Sequence, residues 1–129
     1  MNIPDDLRYS SDHEWIRRDP DQADLITIGI TDYAQDALGD VVFVEPAEVD
    51  AEVAAADTFT EVESTKSVSD IYAPVSGTIT EVNEALDDKP ELLNADPYGE
   101  GWIAKMIMSE PSQFDALMDA DAYRQLTEG

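Results

Sequence analysis

The chain has 129 residues and a mass of 14.2 kDa, and 43% of it is hydrophobic, which suits a single domain over residues 1–129 built round one core. Seven basic residues against thirty acidic ones leave a net charge of −23, which excludes nucleic acid and an anionic membrane surface as default partners. With no cysteine and His13 as the one histidine, disulfides, thiolate nucleophiles, thiolate metal sites and histidine-based triads are excluded as well.

Met1 to Ser10 is polar with no apolar signal core, and no stretch approaches the ~18 apolar residues of a membrane span. A cytoplasmic protein is expected. The lysines are Lys66, Lys89 and Lys105 alone. So strong a depletion has two readings: a surface kept hydrated in a high-salt cytoplasm, where screening makes self-repulsion harmless, or an ordinary acidic carrier surface met by basic enzymes. The first is favoured, because the loss of lysine exceeds what solubility requires.

Along the chain, Leu25 to Ile30 alternates Ile26, Ile28 and Ile30 with Thr27 and Gly29, the period of a half-buried strand. Glu14 to Arg18 is its expected hairpin partner, joined through the turn residues Asp19-Pro20-Asp21-Gln22. Thr31 can cap a short helix with Tyr33, Ala34 and Leu38 on one face and Gly39 at its C-terminal stop. Val41 to Val44 is a continuous apolar run ended by Glu45-Pro46, expected to be a fully buried strand.

Val53 to Ala56 leads into Thr58 to Glu63. Thr58-Phe59-Thr60-Glu61-Val62-Glu63 and Thr78-Ile79-Thr80-Glu81-Val82-Asn83 agree at four of six positions, which suggests an internal repeat of strands. On that reading Ser64 to Ser69 joins two like halves of a β-module, with Lys66 exposed at the connection. Ala73 to Gly77 is turn chemistry. Pro90 opens a short helical turn through Leu92 and Leu93. Gly99 and Gly101 lead to a last strand over Trp102 to Met108, with Trp102 and the earlier Trp15 expected in the core. From Ser112 onward, Phe114, Leu117, Met118, Tyr123 and Leu126 recur at spacings of three and four, the pattern of one or two amphipathic helices packed on the sheet.

Carboxylates are too common here for any pair to mark an acid–base site, and none has EF-hand spacing. His13, between Asp12 and Glu14, is either a pH-sensitive partner or a strand-end residue with satisfied hydrogen bonds. Lys105 lies in an apolar strand run, as an edge or snorkelling lysine. Lys66 differs from both other lysines. It sits at a connection flanked by small hydroxyl residues that leave its ammonium open to a modifying enzyme.

Glu63-Ser64-Thr65-Lys66, followed by Ser69-Asp70-Ile71-Tyr72-Ala73-Pro74-Val75-Ser76-Gly77, closely resembles the lipoyl-lysine attachment region of the glycine cleavage system H-protein family. Ser11-Asp12-His13-Glu14-Trp15, Gly29 to Gln35, Leu38 to Glu45, Pro90 to Asn94 and Pro97 to Trp102 resemble further family signatures in family order. The resemblance covers nearly the whole chain. It implies a mainly β fold, a hybrid barrel-sandwich of the lipoyl/biotinyl-carrier type with short flanking helices and a helical C-terminal tail.

The resemblance also implies a carrier and not an enzyme, with lipoate as covalent cofactor in amide linkage on Lys66. In the family, a PLP-dependent glycine decarboxylase (P protein) loads an aminomethyl group onto the lipoyl arm. A tetrahydrofolate-dependent aminomethyltransferase (T protein) takes the one-carbon unit, and dihydrolipoamide dehydrogenase (L protein) reoxidises the dithiol. A lipoate ligase or lipoyl transferase would attach the arm, with Glu63 and Gly77 helping it to recognise the site. Glu14, Asp70 and Tyr33 would form the cleft that receives the arm. Two positions depart from the family pattern: Tyr33, where many members have histidine, and Asp12, where many have a small uncharged residue.

A long tether raises the effective concentration of cargo at each docked enzyme, and the cofactor carries the chemistry for a chain without thiols. A biotin carrier would place methionine on both sides of its lysine, whereas Thr65 and Ser67 flank Lys66. A lipoate relay to 2-oxoacid dehydrogenase subunits remains as the alternative function, and a monomer making transient, electrostatically steered complexes is expected.

Overall fold

The computed structural model of the chain describes residues 2–128. Two antiparallel sheets face each other. The larger runs in the order β1 (Arg8–Tyr9), β2 (Glu14–Arg18), β3 (Leu25–Ile30), β9 (Ala104–Met108), β8 (Gly77–Val82) and β5 (Glu52–Val53). The smaller runs β4 (Val41–Val44), β6 (Thr58–Ser64) and β7 (Val68–Tyr72). Short helices fill the connections: α1 (Asp32–Leu38), α2 (Ala85–Asp88), α3 (Leu92–Ala95), α4 (Ser112–Asp115) and the longer α5 (Ala120–Glu128). Among the described residues no helix is long and apolar enough to cross a membrane.

The main core lies between the sheets. Alternation in β3 turns Ile26, Ile28 and Ile30 inward, where they meet Val62 and Ile71 of the small sheet and Ile79 and Met106 of the large one, all fully or almost fully buried. A second cluster covers the opposite face of β2, where Trp15 packs with Ile3, Leu7, Tyr9, Ala120 and Tyr123. Both faces of β2 are therefore dry, and its indole nitrogen donates to the Pro97 carbonyl at 2.8 Å. This cluster ties the first ten residues and α5 onto the sheet. Tyr9 exchanges backbone hydrogen bonds with Met118 at 2.8 and 2.9 Å.

The hairpin of β2 and β3, the Thr31 cap of α1 (Ala34 N–H donates to Thr31 Oγ1 at 3.2 Å) and the helices after Ser112 fall where the sequence places them. Several expectations do not. The Val41–Val44 strand is not fully buried: Val42 and Phe43 are 52% and 51% exposed. A bulge between Val41 and Phe43 on this edge strand shifts the register and lets only Val41 and Val44 point inward. Trp102 stands before β9, half-buried against the second cluster, with the Lys105 ammonium 5.4 Å from its ring centroid.

Leu126 faces solvent, because α5 buries Ala120 and Tyr123 instead. Helix α3 begins at Leu92, with Pro90 serving through its carbonyl, which accepts from Leu93 N–H. The two copies of the repeat lie in different sheets and meet different surroundings, Thr60 being buried where Thr80 is exposed. The turn bearing Lys66 consequently joins β6 to β7, not one copy to the other.

Candidate functional site

Lys66 stands on the turn that closes the β6–β7 hairpin, beyond the Glu63–Val68 pair. The turn is built by Ser64. Its N–H donates to the Ser67 carbonyl at 2.8 Å, and its buried hydroxyl accepts from the N–H groups of Lys66 and Ser67 at 3.3 and 3.1 Å. Thr65 N–H donates to the Asp40 carbonyl at 3.0 Å, which fastens the tip to the loop after α1.

That loop is held in turn by Asn94 of α3. Its side-chain oxygen accepts from Val41 N–H at 2.8 Å, while its amide nitrogen donates to the Gly39 carbonyl at 2.9 Å and to Gln35 Oε1 at 3.0 Å. Gly39 has φ +82°, and the exposed Lys66 side chain lies across it: a Cβ at position 39 would stand 3.3 Å from Lys66 Cε and 3.8 Å from Nζ. Lys66 is thus an accessible amine on a rigid tip.

Beside the tip a groove of about 240 Å³ runs between α1 and β7. Tyr33, Ala34 and Leu38 form one wall, Ser67 to Ile71 the other, and Asp12 and His13 close one end. The Asp12 and Asp70 side chains give it two exposed carboxylates. Among the described residues no cluster of acidic or histidine side chains is arranged to hold a metal ion.

The three residues expected to form the cleft divide. Tyr33 and Asp70 line the groove. Glu14 does not: it is 1% exposed and stands apart from the lining. Ser10 Oγ donates to its Oε1 at 2.6 Å and Tyr72 N–H to its Oε2 at 3.2 Å. Burial outweighs these bonds and pushes the Glu14 carboxyl up to about 7. Of the two residues expected to guide attachment, Glu63 is exposed in the row next to the tip, but Gly77 lies in the large sheet against β9. A Cβ there would collide with the Ile107 carbonyl oxygen, so packing alone requires glycine at 77.

His13 and Tyr123 belong to the site although the sequence does not mark Tyr123 for it. The His13 ring stacks on Tyr33 with centroids 4.5 Å apart, and its Nδ1 lies 2.8 Å from Tyr123 Oη, which lies 2.7 Å from Thr31 Oγ1. Burial lowers the His13 pKa, favouring a neutral ring. Thr31 Oγ1 accepts from the helix cap and shares a hydrogen bond with Tyr123 Oη, which shares another with His13 Nδ1. The C-terminal helix thereby buttresses the end of the groove. His13 itself adopts φ +69°, outside strand geometry.

Two facing β-sheets with an exposed lysine on a rigid hairpin tip form the fold of the lipoyl/biotinyl carrier class. Residues 7–129 match the family described as Glycine cleavage H-protein. The chain is 54% identical over 127 residues to the glycine cleavage system H protein of Mycobacterium avium, covering 95% of each chain, and 49% identical over 124 residues to that of Halorhodospira halophila, covering 96% and 94%. A crystal structure of the Mycobacterium marinum H protein superposes with a TM-score of 0.84 at 42% identity, over 98% of this chain and 100% of that one. The chain belongs to the glycine cleavage H-protein family and is a carrier of the glycine cleavage system.

Proposed function

We propose that residues 1–129 form one carrier domain, itself without catalytic activity, that bears lipoate on Lys66. The observation that carries this reading is the Lys66 amine, exposed and held on a tip fixed by Ser64, Asp40 and Asn94 at the mouth of a groove. Lys66 would hold the lipoyl group, which would supply a dithiolane as carrier of the aminomethyl group between the P, T and L proteins. The chain's own residues hold and shelter the arm. Tyr33, Ala34 and Leu38 offer an apolar wall, and Asp70 and Asp12 offer carboxylates to a cationic amine through charge-assisted hydrogen bonds.

Glu14 acts from behind the groove, through Ser10 and the Tyr72 amide. We place the protein in the cytoplasm as a monomer that meets its partners transiently. Nothing in the geometry favours the relay of lipoate to other carriers. The deciding experiment is the intact mass of protein from its own host, with peptide mapping across Glu61 to Tyr72. One lipoyl group on Lys66 is expected, together with loss of glycine decarboxylation in a reconstituted system on Lys66→Arg exchange. An unmodified Lys66, or retained activity of the arginine variant with an unchanged fold, overturns the reading.

A further inference from the structure

The strands that present Lys66 carry an apolar patch on a chain otherwise covered in carboxylates. Phe43, Glu63 and Val68 pair across β4, β6 and β7 and so point to the same side of the small sheet. Phe43 is 51% exposed, Val68 57%, and the neighbouring Val42 52%. The bulge in β4 puts both Val42 and Phe43 outside. The next row of the same face holds Glu61 opposite Asp70 with Glu45 alongside, all exposed, and no lysine or arginine occurs in β4, β6 or β7. This acidic rim borders the apolar residues on the side away from the tip, and exposed Glu63 stands between Phe43 and Val68.

We propose that the patch formed by Val42, Phe43 and Val68 is where the lipoate-attaching enzyme seats, taking it into an apolar depression bordered by lysine and arginine side chains. The proposal rests on the reading of Lys66 as the lipoylated residue. Reach distinguishes this enzyme from those that meet the finished arm. The attaching enzyme must bring its acyl donor to Nζ itself: the amine attacks the carbonyl of a lipoyl adenylate, the amide C–N bond forms, the acyl–phosphate bond breaks, AMP leaves with its electron pair, and the ammonium proton passes to solvent.

A stable protein interface covers about 800 Å² per partner, a disc of roughly 16 Å radius. At about 4.8 Å between strands and about 3.4 Å per residue, Phe43 and Val68 fall within such a disc centred on the tip. An enzyme on Nζ therefore covers this patch, whereas one served by the extended arm can sit further off. The carboxylate rim calls for basic residues opposite, which adds steering and a dependence on salt.

The test measures lipoylation of the unmodified protein by a lipoate ligase supplied with lipoate and ATP, read by mass. Phe43→Ser is expected to lower kcat/KM about tenfold, the scale of one well-packed interface anchor, and Val49→Ser, which trims an exposed valine (45%) in the loop after β4, to leave it unchanged. As a reading independent of acylation, Lys66→Arg protein is expected to inhibit modification of the natural chain, and Lys66→Arg carrying Phe43→Ser to inhibit at least tenfold less, with equal melting temperatures. Equal kcat/KM and equal inhibition overturn the docking proposal while leaving Lys66 as the carrier lysine. A change in the sedimentation of the protein alone on Phe43→Ser also overturns it, since the patch would then bind a second copy. Failure of the natural chain to be modified on Lys66 overturns the carrier reading instead.

Discussion

Exchanging Glu14 for glutamine tests whether the carboxyl behind the groove is held mainly by burial. In the folded protein it keeps its proton up to about pH 7, against the ordinary 4.5 of the unfolded chain. Between these values the native state binds the extra proton, so the contribution of this group to stability falls as pH rises. At ~1.4 kcal/mol per pH unit, the carboxyl lowers stability by about 1 kcal/mol at pH 5 and about 3 kcal/mol at pH 8. Glutamine fits the same partners without ionising: its oxygen can accept from Tyr72 N–H, and its amide can donate to Ser10 Oγ.

The variant is therefore expected to be more stable than the natural chain, and the difference to widen by about 2 kcal/mol from pH 5 to pH 8. Urea unfolding at both pH values measures this directly, as a change of roughly 1 M in the gap between the two midpoints. The other carboxylates titrate alike in both proteins and drop out of the comparison. A gap that stays constant with pH, or a glutamine variant weaker at pH 8 than at pH 5 relative to the natural chain, refutes the reasoning.

Replacing Asn94 by alanine leaves the Val41 amide and the Gly39 carbonyl without their partner. A loss of about 1–3 kcal/mol is expected, with faster hydrogen exchange at the Val41 and Thr65 amides; unchanged exchange at Val41 would show that Asn94 does not hold the loop under the tip. Raising KCl from 0.1 to 1 M shortens the screening length from about 10 Å to about 3 Å. Among the described residues the ion pairs are those of Arg124 with Asp5 and Asp121, so the net charge of −23 acts mostly as repulsion and the melting temperature should rise. A melting temperature that stays level or falls removes the high-salt reading of the surface.

The hairpin of β2 and β3 and the Lys66 turn are legible in the sequence because their signals are local: alternating isoleucines, turn residues, and small hydroxyls round a lysine. The Val41–Val44 run misleads because four apolar residues in a row carry no mark of a bulge. Residues Ile3, Leu7 and Tyr9 show no period, and their burial depends on Met118 and Tyr123 more than a hundred positions away. The groove follows the same division. Tyr33 lies on a helix that the sequence predicts and reaches the groove, whereas Asp70 reaches it on β7, a strand that the sequence reading does not mark. Glu14 is visible as an acid, but its burial comes from Ser10 and from the small sheet, where Tyr72 N–H reaches it, and nothing near Tyr123 announces a bond to His13.

The bulge in β4 bears on solubility. An edge strand carrying exposed valine and phenylalanine is the kind of segment that templates pairing with another molecule. Here the shift of register between Val41 and Phe43 breaks the even row of backbone donors and acceptors that an incoming strand would need, and Glu45 places a charge at the strand's end. The bulge therefore works against fibre growth, because the apolar face has lost the regular backbone edge along which a fibre would extend.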